Sequence, residues 1–366
     1  MSLRDHLRKV TAYFLKKILT APQSVEKNIG TPKTFLVIRQ NNQFGDMLAS
    51  ISLFRAIKET FPNSKITLIV SPQNYFAVEK NILIDEIFLF DNKKIWKLTY
   101  AFKLKKVLIR DYDVVINPAP VAVSFTSCIL AGLAKSKIKI GPAELNGNKN
   151  NLAFVFNHQI KLDWRMCPDA HVSDFILDIV RPFGISTKNY QSTINFDDAD
   201  QKVAREFLKS IFVKDYIYTI GFHVGAGKIQ NRWPLEFFAE LIKQIGNRHH
   251  IKFYFTGSSS DKEEISFMKK IFDHSCGYFI DRSIPQLAAL ISESDLFITN
   301  DTGVMHVAGT TTTPQISLFG PTNPFNWAPV GKSKYFIRKS GMISDISVED
   351  VFNLFETIVE RDLAKK

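Results

Sequence analysis

Short runs of β-branched and aromatic residues alternate along this chain with segments of helical periodicity, and no other feature constrains its fold as much. Near the start, an apolar run at 35–38 precedes a helical segment at 46–60 and a second apolar run at 66–70. A strand, a helix and a second strand in this order form the crossover unit of a parallel sheet. Further apolar runs at 87–90, 114–116 and 138–140 extend the same predicted sheet.

The periodicity lapses in a polar stretch around 188–200 and then restarts, which is typical of a domain boundary. In the second half we predict strands at 216–222, 252–256, 278–280, 296–299 and 315–319. The sequence therefore predicts an α/β protein with two Rossmann-like, doubly wound parallel-sheet domains, at residues 34–190 and 191–345, facing a central cleft. Ligands of such sheets bind beyond the carboxyl ends of the strands.

The composition limits the kinds of protein that this chain can be. The chain has 366 residues, 45% of them hydrophobic, which is enough for two cores. Its cysteines, Cys128, Cys167 and Cys276, are odd in number and widely spaced, which argues against a disulfide framework or a zinc site and favours a reducing cytoplasm. No run resembles a signal peptide or approaches the roughly 20 apolar residues of a membrane span, so we expect a protein that is neither exported nor embedded.

The net charge of +11 is concentrated in the first third of the chain. Residues 1–33 carry seven Lys or Arg against two carboxylates, and residues 93–110 carry seven with no carboxylate. Such a field favours an anionic partner, either nucleic acid or an acidic membrane surface. Residues 1–33 form a basic, amphipathic extension whose apolar helical face holds Leu3, Leu7, Val10, Phe14 and Ile18. This pattern fits an interfacial helix, and it equally fits a helix packed on its own domain with a solvated basic face.

An apolar run leads into Asn300-Asp301-Thr302-Gly303 and then into a helical segment, and this is the most informative motif. Asp301 or Thr302 is placed to cap the helix. The unpaired amides and the positive end of the helix dipole at such a start favour phosphate. His306 follows about one turn later, either near the same mouth or packed between helix and sheet.

A second motif is rich in small residues and carries cations. Gly225, Ala226 and Gly227 let the backbone approach a ligand closely, and Lys228 and Arg232 add positive charge. The spacing does not match a Walker loop, because Phe222 and Ile229 stand where that motif needs glycine and a hydroxyl. A plain glycine-rich turn is the alternative.

In a third motif, Gly45 and Asp46 follow the first predicted strand at the start of a helix. A helix start favours a carboxylate, so Asp46 is expected to stay ionised and to be able to accept a proton from a nearby hydroxyl. The alternative is a plain N-cap aspartate.

Asp198-Ala199-Asp200 resembles a metal-binding DxD motif, but its place in the polar boundary segment indicates helix-start carboxylates.

With these segments the sequence resembles the ADP-heptose:lipopolysaccharide heptosyltransferases, glycosyltransferase family 9 of the GT-B fold class, over residues 35 to 330 approximately. The motifs that carry the resemblance are Asn300-Asp301-Thr302-Gly303 with His306 and residues 317–322, Gly45-Asp46 with Phe61-Pro62, and Gly225-Ala226 with Trp233-Pro234.

The resemblance implies an inverting transfer that needs no metal or cofactor, with ADP-heptose as the donor and a lipopolysaccharide core as the acceptor. The first domain would bind the acceptor, with Asp46 as general base beside Gly45. The second would bind the nucleotide, with a terminal segment at 346–366 crossing back to the first domain. Residues implied on the donor side are Gly225 and Ala226 along the phosphate path, Gly257 near the nucleoside, and Asp301, Thr302, Gly303 and His306.

Asn231 departs from the family, which usually has lysine two residues before the Trp-Pro pair. The cationic role would pass to Lys228 or Arg232 or be lost, and the donor sugar stays open. Two other functions remain alternatives: a nucleotide-sugar epimerase acting without an acceptor, and a non-catalytic nucleotide-sugar binding module. The resemblance gives no role to nucleic acid and leaves an anionic membrane surface as a partner, with the protein in the cytoplasm or peripheral on the inner membrane.

Overall fold

The computed structural model describes residues 3–40, 43–211 and 213–363, with side chains from residue 10 onward except at 274 and 362. The chain divides into two compact units, Met1–Tyr190 and Gln191–Lys366. Each unit is built around one mainly parallel sheet, which is the α/β architecture that the alternating pattern predicts.

The sheet of the first unit has the order β3-β2-β1-β4-β5-β6, with β7 beside β5. Its described strands are β1 Thr34–Arg39, β2 Lys65–Val70, β3 Glu86–Leu89, β4 Tyr112–Ile116, β5 Ser136–Leu145, β6 Asn148–Lys149 and β7 His158–Leu162. The helices of this unit are α1 Leu3–Leu19, α2 Phe44–Ala49, α3 Ile51–Thr60, α4 Pro72–Tyr75, α5 Leu98–Leu108, α6 Phe125–Leu133 and α7 Val172–Phe175.

One face of this sheet is covered by α1, α5 and α6. Leu36 and Ile38 of β1 share that face because side chains alternate along a strand. They belong to the same buried cluster as Leu104 of α5, Ala131 of α6 and Ala12 of α1. The three helices therefore share one apolar core.

The N-terminal helix packs on the domain by a different face from the one that the sequence analysis singled out. Ala12 is buried, and Leu15 packs against the same core, while Val10, Phe14 and Ile18 are exposed. The remaining members of the predicted apolar face, Leu3 and Leu7, lie outside the residues whose side chains are described. Among its described side chains, the helix thus has a packed face and an exposed apolar face.

The sheet of the second unit has the order β10-β9-β8-β11-β12-β13. Its described strands are β8 Tyr218–His223, β9 Ile251–Gly257, β10 Gly277–Ile280, β11 Leu296–Asn300, β12 Gln315–Leu318 and β13 Lys334–Ile337. The helices are α8 Asp198–Ser210, α9 Leu235–Arg248, α10 Lys262–Phe272, α11 Ile284–Ser292, α12 Gly303–Gly309, α13 Pro324–Trp327 and α14 Val348–Ile358.

The C-terminal helix α14 belongs to the core of the second unit. Val351, Phe355 and Ile358 are buried there, and α14 packs against α9. The apolar stripe of α14 covers the second sheet. The crossing of the terminal segment 346–366 back to the first domain stays a prediction.

Other local departures from the sequence prediction have physical reasons. The helical segment at 46–60 is two helices, because Ser50 Oγ donates to the Asp46 carbonyl at 2.7 Å and such back-bonding bends a helix. The strands β6, β7 and β13 were not predicted, since they are short or interrupted by charged residues. The helix-start interpretation of Asp198 and Asp200 is confirmed, because Asp197 caps α8 and forms a capping box with Asp200.

Candidate active site

The sequence motifs of the second unit meet at the point where its strand order reverses. The strands β8 and β11 are parallel neighbours in the middle of that order. Chains that leave such strands turn to opposite sides and open a crevice at the carboxyl edge of the sheet. The Gly225 segment follows β8, and Asp301 follows β11, so both motifs lie at this crevice.

A single buried side chain, Asn300, ties these segments together. Its Nδ2 donates to the carbonyls of Val224 and Gly225 at 2.9 and 3.3 Å. Its Oδ1 accepts from the amide of Trp233 at 3.1 Å. The sequence analysis gave Asn300 no role, because hydrogen bonds across 67 to 76 positions leave no local pattern.

The Asp301-Thr302-Gly303 turn opens α12. Thr302 is the extended N-cap residue, but its side chain makes no capping hydrogen bond, and α12 begins at Gly303. The first amides of a helix have no intrahelical acceptor, so this start favours an anion. The Asp301 carboxylate accepts from Asn231 Nδ2 at 2.9 Å. Burial raises the pKa of Asp301, and a hydrogen bond from Thr322 and the charge of Lys228 act in the opposite direction.

Gly225 is buried and packs against Asp261. A Cβ at this position would collide with the carboxylate of Asp261, so only glycine fits without movement. Ala226 is buried beside it and accepts a hydrogen bond from Arg232 Nε at 2.8 Å. Gly257 ends the neighbouring strand β9 at the same edge of the sheet.

The two candidate cations of this unit differ in their surroundings. Arg232 forms an ion pair with the buried carboxylate of Glu264, in addition to its bond to Ala226. Lys228 is exposed and close enough to Asp301 to affect its pKa. Asn231, at the position of the expected lysine, is buried and binds Asp301. Lys228 is therefore the exposed cation of this pair.

His306 lies in the middle of α12 and is partly exposed. Its ring meets Trp327 of α13 edge to face, with the ring centroids 6.3 Å apart. This contact orients the imidazole on the helix that begins at Gly303.

In the first unit, Asp46 is buried and paired with Arg39. Arg39 is the last residue of β1 and Asp46 lies in the first turn of α2; they are 2% and 4% exposed, and Arg39 Nη2 meets Asp46 Oδ2 at 2.9 Å. The N-cap residue is Gln43, so the N-cap alternative for Asp46 is wrong. Burial raises the pKa of the Asp46 carboxyl, and Arg39 favours its charged form. The prediction that the helix start keeps Asp46 ionised missed both effects.

A pocket of about 510 Å³ opens in the first unit beyond the carboxyl ends of β1, β2 and β3. Its walls carry polar groups, among them Gln73, Asp91 and Lys93, beside the aromatic ring of Phe76. Gly45, at the start of α2 next to Asp46, is partly exposed. A pocket that combines amide, carboxylate and ammonium groups with an aromatic ring is suited to a hydroxyl-rich ligand.

Comparisons with known proteins agree with this architecture. Residues 101–351, more than half of the chain, match the model of glycosyltransferase family 9 (heptosyltransferase). A lipopolysaccharide core heptosyltransferase of Haemophilus influenzae is 26% identical over 308 residues, which cover 81% of this chain and 82% of that protein.

Two solved structures show the same fold. The glycosyl transferase family 9 protein of Veillonella parvula has a TM-score of 0.78 at 22% identity, covering 92% of this chain and 100% of that one. ADP-heptose lps heptosyltransferase II of E. coli has a TM-score of 0.72 at 18% identity, covering 89% and 99%. The expected GT-B class, with two parallel-sheet domains, is confirmed. The chain belongs to glycosyltransferase family 9, the heptosyltransferases.

Proposed function

We propose that this chain is an inverting, metal-independent transferase that moves heptose from ADP-heptose to a lipopolysaccharide core acceptor. Family membership and the name of the Haemophilus relative support the substrate class. The observation that carries the proposal is the cluster around Asn300, which ties the segment at Gly225 to the helix start at Gly303.

In this proposal the second unit binds the donor. The amides of Thr302 and Gly303 and the ammonium of Lys228 bind the diphosphate, and the Gly225–Ala226 segment, which Asn300 holds in place, lies along its path. As the bond between the sugar and the phosphate oxygen breaks, the leaving ADP gains negative charge. Preorganised donors stabilise that change more than they stabilise the bound substrate.

Asp301 and Arg232 act on the site through other residues. Asp301 is held by Asn231, and its carboxylate would repel a phosphate, so it positions the turn. Arg232 is held by Glu264 and fixes the segment at Ala226. Asn231 therefore replaces the expected lysine in position but not in charge.

The first unit supplies the general base. The acceptor hydroxyl oxygen attacks the anomeric carbon and displaces ADP in line, which inverts that centre, and the hydroxyl proton passes to the Asp46 carboxylate. A raised pKa brings this carboxylate closer to the strength of an effective general base. The pocket lined by Gln73 and Lys93 is the acceptor site in this scheme.

The substitution Asp46→Asn tests the proposal. It is isosteric and cannot accept the proton, so transfer should fall by about 100-fold or more, with ADP affinity unchanged within a few-fold. The measurements are product formation and calorimetric titration of ADP. Asp111→Asn is the matched control, because Asp111 is an exposed carboxylate of the same unit. Near-normal turnover in Asp46→Asn would remove Asp46 from this role.

A parallel incubation of ADP-heptose without acceptor separates transfer from epimerisation. The proposed transferase leaves the donor sugar unchanged in the absence of acceptor. An altered sugar would point to the isomerase alternative, and absence of product with every acceptor would favour a binding module.

A cytoplasmic location stays part of the proposal and is supported by the free thiols of Cys128, Cys167 and Cys276.

A further inference from the structure

The turn before α5 and the outer face of α5 expose large apolar side chains. Trp96 is 90% exposed, Leu98 is 87% exposed and Phe102 is 59% exposed. Leu98 and Phe102 are four positions apart and so share a helix face. The opposite face of α5 packs into the core through Leu104 and Val107. The helix is folded and anchored, and its outer apolar face is presented to solvent.

Cations surround these side chains. The segment from Asn92 to Arg110 contains no carboxylate, and its exposed lysines are Lys93, Lys94, Lys97, Lys103, Lys105 and Lys106. Lys106 Nζ lies 4.9 Å from the Phe102 ring centroid, so charge and apolar surface are interleaved. A protein partner that covered only the apolar side chains would leave these charges without compensation.

The exposed face of α1 also combines apolar side chains with lysines. α1 and α5 cover the same face of the first sheet. On α1, Tyr13, Phe14 and Ile18 are exposed, with Lys16 and Lys17 beside them. We call the exposed side chains of α1 and of residues 93–106 the docking surface.

We propose that the docking surface binds an anionic lipid bilayer in the plane of its headgroups. Trp, Phe and Leu side chains on a lysine-rich helix face enter the boundary between headgroups and acyl chains, and lysines add attraction to anionic lipid. Among the described residues, no helix is long and apolar enough to cross a membrane. This inference adds a partner to the proposed function and does not depend on it.

The docking surface lies next to the proposed acceptor pocket along the chain. Asp91, Asn92 and Lys93 line the polar pocket beyond β1, β2 and β3, and the next residues along the chain are those that expose Trp96 and Leu98. A saccharide attached to a lipid in the bilayer would thus enter the pocket from the side on which the protein is bound. The docking surface and the acceptor pocket share one turn.

Vesicle sedimentation with the full chain tests the inference. We expect binding to phosphatidylcholine vesicles that contain about 30% phosphatidylglycerol, weak binding to pure phosphatidylcholine, and loss of binding in about 0.5 M salt. Lys97→Gln with Lys103→Gln and Lys106→Gln should weaken binding by about fivefold per lysine. Trp96→Ser with Leu98→Ser should weaken it by at least tenfold. Met166→Ser, at an exposed apolar residue outside the surface, is the control.

Melting temperature and ADP affinity, measured on every variant, should match the wild type. This separates the inference from the proposed function, since ADP binding resides in the other unit. Three results would overturn the inference: equal binding to neutral and anionic vesicles, docking-surface variants that bind like the Met166→Ser control, or wild-type protein that binds an oligonucleotide or its own copies through this surface and ignores vesicles.

Discussion

At the scale of single residues, the Arg39–Asp46 pair governs the proposed base. Both groups are buried, and removing one partner of such a pair leaves an uncompensated charge that costs about 3–5 kcal/mol. Arg39 therefore holds the carboxylate in one orientation and opposes the rise in its pKa that burial causes. A local motif could indicate Asp46 but not the residue that tunes it, although Arg39 stands only seven positions earlier.

The cations Lys228 and Arg232 should respond differently to loss of charge. Lys228→Gln should weaken ADP binding about tenfold, because charge-assisted hydrogen bonds to phosphate contribute about 1.5–3 kcal/mol. Arg232→Gln should mainly lower stability, by about 1–3 kcal/mol, because Glu264 loses its partner in a buried position. Calorimetric titration of ADP and urea unfolding measure the two effects. A pattern with the roles exchanged would assign the phosphate contact to Arg232.

At the scale of elements, α12 is fixed at its C-terminal end by a partly buried lysine. Lys334 Nζ, on β13, donates to the carbonyls of Ala308 and Thr313 at 2.8 and 2.6 Å. Ala308 lies in the last turn of α12, and Thr313 lies in the loop between α12 and β12, so these bonds join the end of the helix to the strand β13. Burial lowers the pKa of Lys334 to about 7. The strand β13 thus supports the helix whose start is the proposed phosphate site.

This lowered pKa predicts a pH dependence of stability. Between pH 7 and the ordinary pKa of 10.5, the unfolded chain binds the Lys334 proton more often than the folded chain, so stability rises with pH in that window. Below the folded pKa the cost of burying the charge is fully present. The unfolding free energy of the wild type minus that of Lys334→Met should increase from about pH 6.5 to about pH 9, by up to about 1 kcal/mol per pH unit. Urea unfolding at both values measures it, and a flat difference would contradict the assignment.

At the scale of the whole molecule, each unit has its own core and its own functional network. The Arg39–Asp46 pair lies within the first unit, and the contacts of Asn300 lie within the second. The C-terminal helix α14 completes the core of the second unit, and Trp233 Nε1 donates to the Ile346 carbonyl just before it. Each unit is therefore expected to hold its site without the other.

A fragment of residues 191–366 should fold cooperatively and bind ADP within about tenfold of the full chain, because independent cores are the mark of separate domains. It should show no transfer, since it lacks Asp46. Circular dichroism, urea unfolding and calorimetric titration test this. A folded fragment that fails to bind ADP, beside a full chain that binds it, would show that the first unit contributes to the nucleotide site.

Most strands of the fold could be predicted from the sequence, because the strands of a parallel sheet that is buried on both faces are continuous apolar runs. The runs at 35–38 and 296–299 lie within β1 and β11, and the turn residues after them indicated the Asp46 and Asp301 segments. The short strands β6, β7 and β13 were not predicted, because the pairing of such strands depends on neighbouring strands and not on a local sequence pattern.

The alternation of strands and helices, the family and the positions of its signature turns could all be inferred from the amino-acid sequence. Tertiary contacts determine which charges are engaged: Arg232 with Glu264, Arg39 with Asp46, and Lys228 left exposed at the crevice. They also determine that α14 covers the second sheet and that the outer face of α5 stays exposed. Periodicity is a property of neighbouring residues, whereas an ion pair or a buried face depends on side chains that folding brings together from distant parts of the chain.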